Sequence, residues 1–179
     1  MFQPALRHTL GAVLCITAAC GAPAAPEPLP IIELAATAEG PTVAFVAGVH
    51  GGKVAAVRAV ERLRTELDGQ LLRGRVLLLA PANAAGHAAG LAQLSPLDSL
   101  NLNRVFPGDS AGRPTERLAA QILRELVAQS DYLVDLHGSD GDEAVGRFAY
   151  AARPGLDPRV DSLALGLALQ WGVPVIVWD

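Results

Sequence analysis

Phe45-Val46-Ala47-Gly48-Val49-His50-Gly51-Gly52-Lys53 decides the fold. An apolar run ends in Gly-Val-His-Gly, and an amphipathic pattern opens directly after it at Val54. Strand, turn and helix in that order form the first half of a βαβ unit. Open α/β sheets place ligand sites at the carboxyl edge of such strands, and this turn lifts His50 onto that edge. Asp131-Tyr-Leu-Val-Asp-Leu-His137-Gly138 repeats the arrangement: an apolar strand closed by His-Gly.

Outward from these two stretches, Thr42 to Val49 is nearly continuous in apolar residues, as a strand covered on both faces should be. Val54 to Leu67 carries Val57, Val60, Leu63 and Leu67 at helical spacing, and Asp68-Gly69 ends it. Arg75 to Ala80 reads as the next buried strand, and Ile31 to Leu34 as a short edge strand. Pro114 to Gln129 reads as a helix opened by proline, with Leu118, Ile122, Leu126 and Val127 on its stripe. Beyond His137 follow a strand over Phe148 to Ala152, a helix over Asp157 to Trp171 and a strand over Val173 to Trp178. The stretch from Ala82 to Pro114 has little period of either kind, and a loop of that length in a compact domain is usually functional. The order predicts an α/β fold: a mixed, mostly parallel sheet with helices on both faces. The last strand is expected to be central. A chain that stops there at Asp179 reads as a domain incomplete at its C-terminus, or else as a minimal version of the fold.

The 179 residues suffice for one domain with a sizeable core. A net charge of -4 without a basic run, and only 4% aromatic residues, argue against a nucleic-acid partner. Both cysteines, Cys15 and Cys20, lie in the first twenty residues. The domain beyond them therefore has neither a disulfide framework nor a cysteine-built zinc site.

Residues 1–20 read as a secretory signal peptide: Arg7 without an acid, then an apolar stretch from Thr9 to Ala19, too short to span a bilayer. Thr17-Ala-Ala-Cys20 is an imperfect lipoprotein box, and cleavage near Ala22-Pro-Ala24 competes with it. The expectation is an exported protein, periplasmic or anchored as a lipoprotein through Cys20, against the plain alternative of an apolar leader with no targeting role. Residues 21–30 form a Pro/Ala linker, and residues 31–179 the domain.

A lone histidine at a strand end is ordinarily a surface or capping residue. Two of them, at the ends of parallel strands, could share one metal: two neutral imidazoles, a carboxylate and a water make a hydrolytic zinc site. His87, in an Ala/Gly-rich loop, and His8, in the leader, are not read as ligands. Asn103-Arg104 puts an amide beside a guanidinium fork, the natural clamp for a substrate carboxylate, against the plain alternative of a structuring Asn and a surface Arg. Phe106-Pro107-Gly108 reads as a turn with an aromatic plug.

These motifs together resemble the succinylglutamate desuccinylase/aspartoacylase family, relatives of the zinc carboxypeptidases. His50-Gly-Gly-Lys53 is similar to its His-Gly-Asn/Asp-Glu motif. Pro96-Leu-Asp98-Ser-Leu-Asn101-Leu-Asn103-Arg104-Val-Phe-Pro-Gly108 is similar to its long loop, and Glu116 to Ala119 and Asp131 to His137 to the helix and strand that follow. The resemblance implies a three-layer, zinc-carboxypeptidase-like (phosphorylase/hydrolase-like) fold and zinc-dependent hydrolysis of an N-acyl amino acid or related amide or ester bond. It implies zinc at His50 and His137, a substrate carboxylate at Asn103 and Arg104, and Asn101 behind His50, fixing its tautomer.

Three departures are catalytic. Lys53 stands where the family's third ligand is Glu, and an ammonium has no lone pair for a metal. Gln93 stands near the position of an arginine that polarises the scissile carbonyl. The position at which the family carries its general-base glutamate falls beyond residue 179, so the resemblance finds no counterpart for it in this sequence. Asp140, Asp142 and Glu143 are near enough to His137 in sequence to supply a carboxylate, against the plainer reading of a solvated acidic loop. The alternative to a hydrolase is a catalytically silent exported domain that binds an acylated amino acid or a peptide end.

Overall fold

The computed structural model describes residues 27–139 and 144–179. The leader with Cys20, the linker up to Pro26, and the acidic candidates Asp140, Asp142 and Glu143 lie outside the described residues.

The main sheet has four strands in the order β1-β3-β2-β4. These are β1 (Ile32–Ala35), β2 (Thr42–Ala47), β3 (Arg75–Leu79) and β4 (Tyr132–Leu136). β2 is parallel to both β3 and β4, and β1 runs antiparallel along the edge of β3. The sheet is therefore mixed and mostly parallel, as the βα alternation predicts.

The apolar runs of β2 and β3 split by the two-residue period of a strand. Ala44, Val46, Leu77 and Leu79 face one side, where Ala119, Ile122 and Leu126 of α3 (Pro114–Glu125) and its C-terminal turn complete a core. Ala47, Val76 and Leu78 face the other, against Ala56 and Val60 of α1 (Val54–Leu67). Helices thus cover both faces, and each strand is apolar throughout because each alternate residue meets a different helix.

The long loop is not structureless. Asn83 accepts from the Gly86 N–H at 2.9 Å and caps a short helix, α2 (Ala84–Ala88). A 3-10 turn spans Leu102–Arg104, with Leu102 fully buried in the α3-side core. Leu102, not Phe106, is the plug: Phe106 remains 40% exposed. Gly108 (φ 84°) seats the turn, because a Cβ there would lie 2.3 Å from the Glu116 carbonyl oxygen.

After β4, β5 (Phe148–Ala151), α4 (Pro158–Leu169) and β6 (Val175–Trp178) make a βαβ unit with its own two-stranded parallel sheet. Among the described residues the last strand pairs with β5, its neighbour across the α4 crossover, in a sheet of two strands. The register pairs Phe148 with Val175 and Tyr150 with Val177, and all four side chains are substantially exposed on one face. Trp171 reaches back to Phe45, edge to face at 6.4 Å. No helix among the described residues is long and apolar enough to cross a membrane.

Candidate functional site

β2 and β4 are parallel neighbours with Ala47 level with Leu136. Their exits therefore open on the same sheet edge, and His50 and His137 meet there. The ring centroids lie 5.3 Å apart and the planes cross at 86°. At a Zn–N distance near 2 Å, two imidazoles on one tetrahedral ion would hold their centroids about 5 Å apart, so the spacing suits a shared metal.

The turn that carries His50 is tightly specified. Gly48 has φ 73°, and a Cβ there would stand 2.9 Å from both Pro81 and Val57 side-chain atoms. Gly51 lies against α2: a Cβ would be 2.3 Å from the Gly86 carbonyl carbon. Lys53 N–H donates to the His50 carbonyl at 3.2 Å, closing the turn, and Lys53 is the N-cap of α1.

Each ring is oriented through Nε2. His50 Nε2 lies 3.2 Å from Asn101 Oδ1, which also accepts from the Asn103 N–H at 2.9 Å. His137 Nε2 lies 2.9 Å from Asp135 Oδ2. Both oxygens accept, so each contact places a ring proton on Nε2 and turns Nδ1 away from it. Such outer partners fix the tautomer of metal-binding histidines.

Asp135 went unremarked in the sequence, yet the signal was present: residues i and i+2 of a strand share a face. His87 also joins the site's frame. Its Nδ1 lies 2.9 Å from the Gly51 carbonyl oxygen, so it braces the turn from α2. Asn103 and Arg104 follow Asn101 in the 3-10 turn; Arg104 is exposed, and its Nη1 donates to the Asn103 carbonyl at 3.0 Å. Gln93 is exposed beside the His50 turn, where the neighbouring Ala92 carbonyl accepts from Gly52 N–H at 3.3 Å.

Lys53 is 9% exposed. Among the described residues no three side chains of His, Cys, Asp and Glu converge as a metal-binding group. The two imidazoles fit zinc in spacing and tautomer, but an ammonium in the third position does not fit it.

Residues 39–177 match the family model described as the succinylglutamate desuccinylase/aspartoacylase catalytic domain. The chain belongs to that family. Over 140 residues it is 35% identical to the N-alpha-acetyl-L-2,4-diaminobutyric acid deacetylase of Halomonas elongata, covering 78% of this chain and 40% of that enzyme. The chain thus spans about two fifths of the length of this curated relative. Among solved structures, a succinylglutamate desuccinylase/aspartoacylase from Rhodobacter sphaeroides superposes with a TM-score of 0.75 at 28% identity, over 83% of this chain and 45% of that one. An aspartoacylase family protein from Mesorhizobium loti gives 0.73 at 27%, over 83% and 46%. A metallo-carboxypeptidase from Burkholderia cenocepacia gives 0.54 at 22%, over 72% and 36%, a likeness of fold alone. The fold is zinc-carboxypeptidase-like, as the motifs implied.

Proposed function

We propose that the protein acts on an N-acyl amino acid, or on a related amide, ester or peptide end, with amide hydrolysis as the activity of its lineage. The observation that carries this reading is the histidine pair: two imidazoles at 5.3 Å on adjacent parallel strands, each held through Nε2 by an oxygen. The relative from Halomonas elongata, named for deacetylation of N-alpha-acetyl-L-2,4-diaminobutyric acid, supports a small acylated amino acid as the substrate class. Arg104 offers its fork to the substrate carboxylate, and Asn103 an amide beside it. His50 and His137 would hold zinc, whose chemistry is to activate a water and polarise the acyl carbonyl. A third donor is lacking among the described residues, so no hydrolytic step is drawn through the metal.

Lys53 favours a second reading: a silent domain that binds the acylated amino acid without cleaving it. A lysine where the family has a carboxylate ligand leaves the ion one oxygen ligand short, whereas binding of a carboxylate needs only Asn103 and Arg104. For either reading we place the protein outside the cytoplasm, on the strength of the leader pattern in residues 1–20 and Cys20.

Zinc stoichiometry of the purified chain, beside Lys53→Glu, separates the two. Near one zinc per chain in the wild type, with release of acetate from N-alpha-acetyl-L-2,4-diaminobutyric acid, supports the hydrolase. A metal-free wild type and a zinc-binding Lys53→Glu support the silent binder. Zinc in neither protein overturns the shared-metal reading of the pair.

A further inference from the structure

We propose that Asp98 is a positioning residue for this site: it caps α3 from the long loop and thereby sets Asn101, and through Asn101 the His50 imidazole and the Asn103-Arg104 pair. Helix α3 has Arg113 at its N-cap, a side chain with donors only. The acceptor comes instead from seventeen residues away, where Asp98 Oδ2 takes the Thr115 N–H at 2.8 Å. Asp98 Oδ1 takes the Thr115 hydroxyl at 2.5 Å and the Leu100 N–H at 3.2 Å. The Arg113 guanidinium donates to the Asp98 backbone carbonyl. A carboxylate at a helix N-terminus is also favoured by the helix dipole.

Asn101 is flanked by two of the loop's attachments to α3: Asp98 at the first turn of the helix, and Leu102, fully buried in the core it shares with Ala119 and Ile122. The Asn101 Oδ1 is the shared acceptor for His50 Nε2 and the Asn103 N–H, so a displacement at Asp98 reaches both histidine and substrate loop. The inference rests on the proposed function for what the site binds, but the placement of His50 is read independently of any ligand.

The test uses the full chain with Asp98→Ala and Thr115→Val. The control is Leu126→Ala, which destabilises α3 at its far, fully buried end. Two quantities are followed at a temperature where all are folded: the ¹⁵N and proton signals of the His50 Nε2–H, and the affinity for N-alpha-acetyl-L-2,4-diaminobutyric acid. Both variants of the Asp98–Thr115 pair are expected to broaden or shift the His50 signal and to weaken binding at least tenfold. The control should leave both readouts unmoved despite an equal or larger fall in Tm. An unchanged His50 signal in Asp98→Ala overturns the proposal and leaves Asp98 a plain helix cap. Should Asp98→Ala not fold, Asp98→Asn, which keeps one acceptor, carries the same comparison. If the wild type binds no N-acyl amino acid, the proposed function fails, and the His50 signal alone still decides the role of Asp98.

Discussion

The two His-Gly pairs share a sequence and almost nothing else. His50-Gly51 is buried and braced on several sides: by Asn101 at the ring, by His87 at the Gly51 carbonyl, and by the Ala92 carbonyl at Gly52. His137-Gly138 leaves β4 with its side chain about a third exposed, and Asp135 of the same strand holds the ring. A Cβ on Gly51 would stand 2.3 Å from backbone atoms of α2, whereas at Gly138 the nearest atom is 3.8 Å away. One half of the site is therefore preset by the fold. The other is more exposed, and its ring is held by Asp135 of the same strand and by the edge-to-face contact with His50.

The sharpest way to break this contrast is the same substitution at both glycines. Gly51→Ala forces backbone apart, and overpacking of that kind costs about 1–3 kcal/mol or more. Gly138→Ala adds a methyl at ordinary contact distance and should stay within roughly 0.5 kcal/mol. Urea unfolding of the two variants measures the difference. Equal stability losses would dissolve the distinction between a preset and an open half.

A smaller effect separates the two orienting oxygens. Asn101→Ala strands the Nε2–H of an imidazole that is 8% exposed and also leaves the Asn103 N–H without its acceptor, a loss of about 1–3 kcal/mol. Asp135→Ala releases a ring that water already reaches, and should cost about 1 kcal/mol or less. Paired Tm measurements read the order, and a larger loss at Asp135 would reverse it.

The parts of this molecule legible in the sequence are those with a period. The α1 stripe of Val57, Val60 and Leu63 fixed that helix to its observed ends at Val54 and Leu67. The apolar continuity of β2 announced a strand with helices on both sides. Long-range pairing left weaker traces. Nothing local to Asp98 shows that its carboxylate caps a helix beginning at Pro114. Leu102 and Phe106 are both apolar, and only the fold tells that the first is buried and the second half exposed. The separate β5-β6 sheet escaped notice because strand order depends on where a crossover helix lands, not on the strand's own residues. The histidines were legible as strand ends, but their separation depends on β2 and β4 being neighbours, which sequence order does not state.

Helix α3 carries the last and smallest contrast, between pH-sensitive clamps at its two ends. At the first turn burial disfavours the Asp98 carboxylate, but the Thr115 hydroxyl and N–H, the Leu100 N–H and the Arg113 charge outweigh it, and its pKa falls below the ordinary 3.8. At the last turn burial likewise opposes Glu125. The Leu29 N–H, Arg124 and Gln121 outweigh that, and its pKa falls below 4.5. A carboxylate with a depressed folded-state pKa binds fewer protons folded than unfolded. Its stabilisation is present above the unfolded-state value and is lost as pH falls through the folded-state value. Stability on account of these two groups should therefore be level from neutral pH down to the ordinary carboxylate range and decline below it. Asp98→Ala removes a cap at a cost of about 1 kcal/mol at pH 7, and that cost should shrink in acid as the wild-type carboxylate protonates. Glu125→Gln should flatten the same limb while leaving the His50 signal in place, because its tie is to Leu29 rather than to the long loop. Urea unfolding across this pH range reads both slopes. A Glu125→Gln variant that disturbs His50 as strongly as Asp98→Ala would show that α3 transmits to the site from either end, and not through the Asp98 clamp alone.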